Sequence, residues 1–301
     1  MKALLICPAI RPAVPQLSEE GPLATTPILG ECLVGYWIEH LAALGALRVQ
    51  VVVADRAESV RTALGDGARW GVQIEVTAVG AEPTAQEAAA RFRPADDPDW
   101  LAAPNDIVLM NHLPGCPEQP LFESYAGWFG ALLAWIPRAL TLGRVRVSEV
   151  RPGIWVGRRA HVAPTAELIA PCWIGDQVFV EPGAIIGPGA VLEDRSVIAK
   201  DARVTLSWVG PDTFVGPMTA IASSLAWGSG LTNWRSESSL RVPDSFLLCS
   251  LAPAPAMADG GPSARAARTV GAPARGAAVP RNWIGEWPES TRHAPNSNPS
   301  T

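Results

Sequence analysis

The second half of the chain carries aliphatic residues at a spacing of six. Counting from Val156, each sixth position holds Val, Ile or Leu as far as Val204; one step of five then reaches Val209, and steps of six resume as far as Ile221. A helix repeats every 3.6 residues and a single strand alternates every two, so neither holds this period for long. The spacing predicts short strands separated by turns, with three strands to a coil and about four coils.

The residues between the aliphatic positions fit this interpretation. Gly, Pro-Gly and Asp supply turns, and mostly small residues stand four positions after each aliphatic residue, where a tight corner is expected. The same count places Trp208 and Leu225 at corners, four residues after Val204 and Ile221. We predict a parallel β-helix over residues 154–230, followed by an end cap at 231–251, because repeat stacks need their last coil covered.

The first 120 residues show a different pattern. Apolar runs at 3–7, 49–53, 72–79 and 107–110 predict strands, and helical spacing at 33–44 and 57–64 predicts helices between them. Such alternation indicates an α/β domain with a mainly parallel, doubly wound sheet, whose ligands bind at the carboxyl ends of the strands. Residues 121–153 are predicted to connect the two domains, with the apolar stretch 121–140 as a helix packed between them or, alternatively, as an exposed partner surface.

Four stretches, at 1–6, 27–30, 36–41 and 65–72, resemble the nucleoside-diphosphate-sugar pyrophosphorylases, which are sugar-1-phosphate nucleotidyltransferases. Many of these enzymes carry a hexapeptide-repeat, left-handed β-helix after the catalytic domain, and the period of six resembles that module. The resemblance implies a Rossmann-like domain, truncated in the half that holds the sugar, followed by a left-handed parallel β-helix. The activity it implies is the joining of a sugar phosphate to a nucleotide, with Mg²⁺ as the metal.

The residues that carry this chemistry in the family are replaced here. The glycine-rich phosphate loop after the first strand falls on a vestigial loop without its glycines, and the lysine of a Pro-Lys-Pro motif falls on leucine. The metal-binding Asp falls near Asn111 or His112, and a base-contacting segment falls near 83–86. Prolines remove backbone N–H donors that would bind phosphate oxygens. The vestigial positions are Pro8, Ala9, Ile10, Arg11, Pro12 and Leu23.

We therefore expect a nucleotidyltransferase-like protein of sugar-nucleotide or cell-surface polysaccharide biosynthesis that has lost catalysis and serves as a regulatory or scaffolding subunit. An active, divergent nucleotidyltransferase is the alternative. Arg11 facing a phosphate and His112 as ligand or base are weak candidates beside the simpler interpretation that both are solvated. No cofactor is expected, with Mg²⁺ only if the protein is active. The acidic run at 96–99 is read as a solvated turn rather than a metal site.

Hexapeptide-repeat acyltransferases offer a third possibility, since they use a histidine as base. His161 is the one histidine within the repeat, and a surface role is the alternative for it. Asn233, Trp234 and Arg235 follow the last coil and are interpreted as cap residues or, because Trp and Arg are enriched at interfaces, as a docking site. Partners would then be pathway enzymes such as a glycosyltransferase, and a sugar nucleotide is a further candidate ligand.

Composition and charge limit the classes of ligand and the cellular compartment that fit this chain. A formal net charge of −5 with no basic stripe disfavours nucleic acid, and no apolar run approaches the ~18 residues of a membrane span. The five cysteines form no CxxC pair, which disfavours a zinc site and fits a reducing cytoplasm. Residues 252–301 are rich in Ala, Pro, Gly and Ser and are predicted to be disordered, with an apolar island at 283–287. A homo-oligomer is expected, commonly a trimer for such repeats.

Overall fold

A four-stranded parallel sheet forms the centre of the N-terminal part. The computed structural model describes residues 1–94, 97–139 and 147–252. The strands lie in the order β5-β4-β1-β6, and helices cover both faces of the sheet. The strands of this part and the short hairpin beside it are β1 Lys2–Ile6, β2 Pro27–Ile28, β3 Glu31–Cys32, β4 Arg48–Val53, β5 Gln73–Ala78 and β6 Ile107–Leu109. The helices are α1 Pro15–Glu20, α2 Leu33–Ala43, α3 Ala57–Leu64, α4 Ala85–Phe92 and α5 Tyr125–Trp135, with 3₁₀ turns at Leu23–Thr25, Ala68–Trp70 and Ile136–Arg138.

Alternation along β1 explains why this sheet is covered on both sides. Ala3 and Leu5 face the core that contains α2 and α3, whereas Leu4 and Ile6 face a smaller core formed with α4. The strands and the two helices that the sequence predicted are present within one or two residues of their expected ends. Helices α1 and α4 were not predicted.

A capping box begins α4 and was readable in the sequence. The hydroxyl of Thr84 accepts a hydrogen bond from the backbone N–H of Glu87, and the Glu87 carboxylate accepts one from the N–H of Thr84. This reciprocal pair satisfies two backbone donors that a helix N-terminus otherwise leaves free. Residues 83–86, which the family resemblance assigned to base contact, therefore form the start of a helix.

The second half places its short strands in three sheets in rotation. Val156, Ile174 and Leu192 are paired across neighbouring strands, so that one turn of the chain takes eighteen residues. This arrangement is compatible with the predicted β-helix, and we call the stack of residues 154–227 the repeat coil. Its strands are β8 Ile154–Gly157, β9 His161–Val162, β10 Glu167–Leu168, β11 Cys172–Ile174, β12 Phe179–Val180, β13 Ile185–Ile186, β14 Ala190–Leu192, β15 Val197–Ile198, β16 Arg203–Thr205, β17 Ser207–Val209, β18 Thr213–Val215, β19 Ala220–Ala222 and β20 Ser224–Trp227. Before the coil begins, β7 Val147–Arg151 pairs antiparallel with β8.

The single step of five in the repeat is a shortened corner, and its position corrects the sequence count. Ser207 is paired with Ala190, and Trp208 with Val191, so the missing residue lies between Val204 and Ser207. The small corner residue of that coil is therefore Ser207 rather than Trp208. The sequence count also placed Leu225 at a corner. Leu225 is paired with Trp208, so it is not a corner residue either. Both side chains lie on the outer face of their sheet.

That outer face joins the two halves of the chain. Trp173, Val191, Trp208 and Leu225 belong to the same buried core as the N-terminal sheet. Helix α5 lies between the two, and the rings of Trp128 and Trp208 meet edge to face with centroids 5.1 Å apart. On the N-terminal side, Trp135 of α5 meets Tyr36 of α2 edge to face at 5.5 Å, so α5, which lies within the apolar stretch 121–140, contacts both parts.

The residues after the coil extend and close it. Strands β21 Gly230–Asn233 and β22 Ser238–Arg241 continue the eight-stranded sheet in antiparallel fashion, and β23 Leu248–Ser250 pairs antiparallel with β18. Leu248 is buried in the coil core, as a capping role requires. The predicted tail lies outside the described residues from 253 onward, as does its island at 283–287. Among the helices described, none has the length and apolar character needed to cross a membrane.

Candidate functional site

The vestigial phosphate loop follows β1 at the carboxyl edge of the parallel sheet, where the sequence predicted a ligand. One of its N–H groups and one guanidinium are already engaged by the carboxylate of Glu82, which lies between β5 and α4. One Glu82 oxygen accepts a hydrogen bond from the Ala9 N–H at 2.8 Å, and the other accepts one from the Arg11 guanidinium at 2.7 Å. Arg11 also donates to the Ala9 carbonyl at 3.2 Å. A carboxylate thus stands among the groups that would receive a phosphate oxygen.

The electrostatics of the pair favour an ionised Glu82. Partial burial acts to raise the pKa of Glu82, but the hydrogen bonds from Arg11 and Ala9 outweigh it and lower the pKa. The negative charge of Glu82 therefore balances the positive charge of Arg11, and the loop presents little net attraction to an anion. Sequence reasoning missed Glu82 because 71 residues separate it from Arg11.

The other vestigial positions contribute no phosphate-binding group. Leu23 is 0% exposed and belongs to the hydrophobic core, so it does not line the loop that it was predicted to share. Pro8 is buried, whereas Ile10 and Pro12 are exposed. Cys7, at the end of the first strand, is buried, and desolvation raises the pKa of its thiol, which removes it as a nucleophile at neutral pH.

The residues after β6 do not fit Mg²⁺. His112 is held by its neighbours: its Nδ1 lies 2.8 Å from the Leu113 carbonyl, and its ring meets Trp37 edge to face at 5.2 Å. Trp37 also donates from Nε1 to the His112 carbonyl. Mg²⁺ prefers carboxylate oxygens, and Asn111 and His112 offer an amide and an imidazole. Within the described ranges, no group of three or more His, Cys, Asp and Glu side chains is placed to hold a metal.

His161 lies far from this loop in the sequence, on the outer surface of the repeat coil. Its ring stacks on Phe179, the paired residue of the next coil, with centroids 4.7 Å apart and planes within 3°. The two rings line an open groove of about 620 Å³ together with Arg158, Arg159, Gln177, Arg195 and Val197.

Three arginines line the groove, but carboxylates neutralise two of them. Arg159 is paired with Asp176, and Arg195 makes a bidentate pair with Asp212 at 2.7 and 2.6 Å. Arg158 is exposed at the rim. Among the described contacts, no hydrogen bond or ion pair joins His161 with Arg11 or His112, so the three weak candidates occupy separate surroundings.

The predicted cap residues have distinct roles in one turn. Asn233 donates to the Ala222 carbonyl and accepts from the N–H groups of Arg235 and Ser236, which fixes the turn between β21 and β22. Trp234 stacks on Phe129 of α5 at 4.7 Å, and Arg235 is exposed. Asn233 and Trp234 therefore contribute to the structure of the cap.

A buried carboxylate links the two halves of the chain. Glu193, on the repeat coil, is 1% exposed and accepts hydrogen bonds from the N–H groups of Leu29 and Gly30 and from Trp208 Nε1, at 2.7, 2.8 and 3.0 Å. Burial raises the pKa of Glu193 to about 7, against an ordinary 4.5. Leu29 and Gly30 both have positive φ in the two-residue turn of the β2–β3 hairpin. Within the stretch 27–30, which carries part of the family resemblance, the turn at Leu29 and Gly30 therefore contacts the coil.

Comparison with known proteins leaves the family open. No family model matches the chain, and no curated protein matches it. Thirty-seven chains of solved structures match, among them the acetyltransferase domain of PglB from Neisseria gonorrhoeae in complex with acetyl coenzyme A. That domain is 10% identical, is covered over 100% of its length by 63% of this chain, and has a TM-score of 0.13. A likeness this low shows no family.

Proposed function

We propose that this chain is a nucleotidyltransferase-like protein without catalytic activity, which acts as a regulatory or scaffolding subunit in sugar-nucleotide or polysaccharide biosynthesis. In this proposal the N-terminal domain is a truncated relative of the sugar-1-phosphate nucleotidyltransferases, and the repeat coil is a left-handed β-helix. The observation that carries it is the Glu82 carboxylate bound to Ala9 and Arg11 in the phosphate loop.

The chemistry explains why that contact matters. Transfer of a nucleotidyl group spreads negative charge over phosphate oxygens, and enzymes stabilise it with preorganised N–H donors and cations. Here one N–H and one guanidinium of the loop are bound to an internal carboxylate, prolines stand at 8, 12 and 15, and leucine occupies the lysine position. A nucleoside triphosphate would have to displace Glu82 and then meet its charge.

Pyrophosphate release tests the proposal. We expect no release above background when the full chain is incubated with Mg²⁺ and a panel of nucleoside triphosphates and sugar 1-phosphates, while an active pyrophosphorylase serves as the positive control. Turnover that disappears in Arg11→Ala would refute the loss of catalysis and favour the alternative, an active divergent enzyme.

Pyrophosphate binding tests the contact of Glu82 with Ala9 and Arg11 directly. Replacing Glu82 with Ala removes the internal carboxylate and leaves Arg11 without its partner. We expect Glu82→Ala to bind inorganic pyrophosphate at least several-fold more tightly than the wild type in calorimetric titration. The exposed Glu75, on β5, provides the matched control, and Glu75→Ala should bind as the wild type does. Equal affinity of all three proteins would show that Glu82 does not restrict the loop.

The scaffolding part of the proposal needs its own measurement. We expect affinity purification of the full chain from its host to recover an enzyme of glycan assembly, such as a glycosyltransferase, and sedimentation to give a homo-oligomer. Recovery of no pathway enzyme under conditions that retain the oligomer would contradict this role.

The His161 groove favours one second candidate. A histidine stacked on an aromatic ring beside three arginines could hold the phosphates of an acyl-CoA, with His161 as the base. Consumption of acetyl-CoA that depends on an acceptor sugar and is lost in His161→Ala would support acyl transfer. The paired Asp176 and Asp212 make this candidate weaker, since they neutralise two of the arginines.

A further inference from the structure

A cleft lies where the cap hairpin meets the N-terminal part of the chain. One depression of about 220 Å³ separates helix α1 from strands β21 and β22, and an adjoining one of about 540 Å³ separates the start of α5 from the same hairpin. Pro15, Thr232 and Ser239 line both. We call these two depressions together the junction cleft.

Polar groups converge at the floor of the junction cleft. Gln16 is 8% exposed, and its side-chain oxygen accepts a hydrogen bond from the Thr232 hydroxyl, which lies 2.9 Å from the Ser239 hydroxyl. The hydroxyl of Tyr125 accepts from the Gln16 backbone N–H at 2.8 Å. The other end of the Gln16 amide, Nε2, is buried with no hydrogen-bond partner. A buried donor of this kind is destabilising until an acceptor reaches it.

An aromatic side chain forms part of the cleft wall. The indole of Trp234 is fixed by stacking on Phe129, and it lines the larger depression beside Ser124 and Asn233. A rigid, partly exposed indole offers an apolar surface next to hydroxyl and amide groups. Pyranose rings match such a surface, because their C–H faces are apolar and their edges carry hydroxyls.

The charges around the cleft exclude an anionic ligand. Glu19, Glu20, Glu123 and Glu237 line it, and Arg241 is the one basic side chain among its lining residues. Arg241 is itself paired with Glu19 at 2.8 Å. A phosphate, a nucleotide or an acidic glycan would meet net negative charge here, whereas carboxylates readily accept hydrogen bonds from sugar hydroxyls.

From these observations we propose that the junction cleft binds a neutral, hydroxyl-rich carbohydrate of two or more sugar units. The indole of Trp234 receives a ring face, the Gln16 amide donates to a sugar oxygen, and the rim carboxylates accept from hydroxyls. The inference goes beyond the proposed function, because Trp234, Gln16 and the rim carboxylates, which carry it, play no part in the argument on the phosphate loop. Pyrophosphate release and carbohydrate binding are separate assays, so either proposal can fail without the other.

Ligand-observed saturation-transfer NMR on the full chain tests this, with maltohexaose, cellohexaose, mannohexaose and galactohexaose as neutral probes and a polygalacturonate hexamer and UTP as anionic ones. We expect at least one neutral hexamer to bind and the anionic probes to give no transfer from this cleft. Trp234→Ala should weaken the neutral ligand tenfold or more. Trp70→Ala, a partly exposed tryptophan outside the cleft, should leave its affinity unchanged.

A second variant guards against misfolding of Trp234→Ala. Glu237 is exposed at the rim, so Glu237→Gln should keep the fold, as circular dichroism would verify, and should weaken the neutral ligand about threefold to tenfold. Failure of every neutral probe to bind would overturn the proposal. So would binding that is indifferent to both Trp234 and Glu237, or a preference for the anionic probes that these two variants abolish.

Discussion

Ionisation of Glu193 should make the stability of this protein depend on pH. Its carboxyl group is buried between the repeat coil and the β2–β3 hairpin, and burial raises its pKa to about 7 from an ordinary 4.5. A raised pKa means that the folded protein keeps the proton over a range in which the unfolded chain has lost it. Stability is therefore full below about pH 4.5, falls as the pH rises, and levels off above about pH 7.

The size of this effect follows from the same values. One pKa unit corresponds to about 1.4 kcal/mol, so the difference between 4.5 and about 7 amounts to roughly 3 kcal/mol, most of it lost between about pH 4.5 and 7. The three N–H groups that Glu193 accepts from limit the loss, because they stabilise the ionised form. Burial remains the larger influence.

Urea unfolding followed by tryptophan fluorescence, at intervals from pH 5 to 8.5, measures the effect. Glu193→Gln removes the titrating group but leaves one N–H of the hairpin turn facing an amide NH₂, which costs about 1–3 kcal/mol at every pH. The free energy of unfolding of the variant should therefore start below that of the wild type and converge on it, or exceed it, by pH 8. The exposed Glu167 on β10 is the control, and Glu167→Gln should run parallel to the wild type. Parallel curves for wild type and Glu193→Gln would show that the carboxyl group titrates normally and that our reasoning is wrong.

Three further predictions concern packing and the loop. Trp208→Ala should lower the free energy of unfolding in urea by about 3–5 kcal/mol, because the indole is fully buried between two other tryptophans. Trp208→Phe should lower it by less, and equal losses in the two variants would contradict this packing. Gly67→Ala should lower the free energy of unfolding by about 2–4 kcal/mol in thermal melting, because a Cβ there would lie 2.1 Å from a backbone oxygen. Gly71→Ala should lower it by only about 1 kcal/mol, because Gly71 also has a positive φ but faces open space. Glu82→Gln should lose up to about 1 kcal/mol at pH 7, because the pair with Arg11 is partly exposed. Because the pKa of Glu82 is lowered, the difference between wild type and Glu82→Gln should begin to shrink below the ordinary pKa and vanish once the pH falls through the lowered one. A difference that persists in stronger acid would refute the assignment.

The repeat coil could be predicted because its signal is strictly local. Each aliphatic residue enters the core six positions after the last, and the register of Val156, Ile174 and Leu192 follows from that count alone. The shortened corner could not be located in the same way. A step of five from Val204 to Val209 shows that one residue is missing, but not on which side of Ser207, and only the strand pairing decides it.

The candidate site was less accessible to sequence reasoning, because its contacts join distant parts of the chain. Glu82 lies 71 residues from Arg11, and Glu193 lies 164 residues from Leu29. Neither carboxylate stands in a motif, and each gains its role only from what the fold brings beside it. The start of α4 is the opposite case, since the capping box from Thr84 to Glu87 is a local sequence signal, although the family resemblance places a base-contacting segment there.

Under the proposed function, the contacts of Glu82 and Glu193 explain how a chain could keep an enzyme-like framework without catalytic groups. An active phosphate loop leaves its donors unpaired until substrate arrives, which costs stability. Here Glu82 accepts hydrogen bonds from one N–H and one guanidinium of the loop after β1, and Glu193 accepts from the hairpin turn at Leu29 and Gly30. Both contacts are internal and need no ligand. The N-terminal sheet then becomes a support on which the coil and its cap hairpin are fixed, and the junction cleft forms at the place where that support meets the cap.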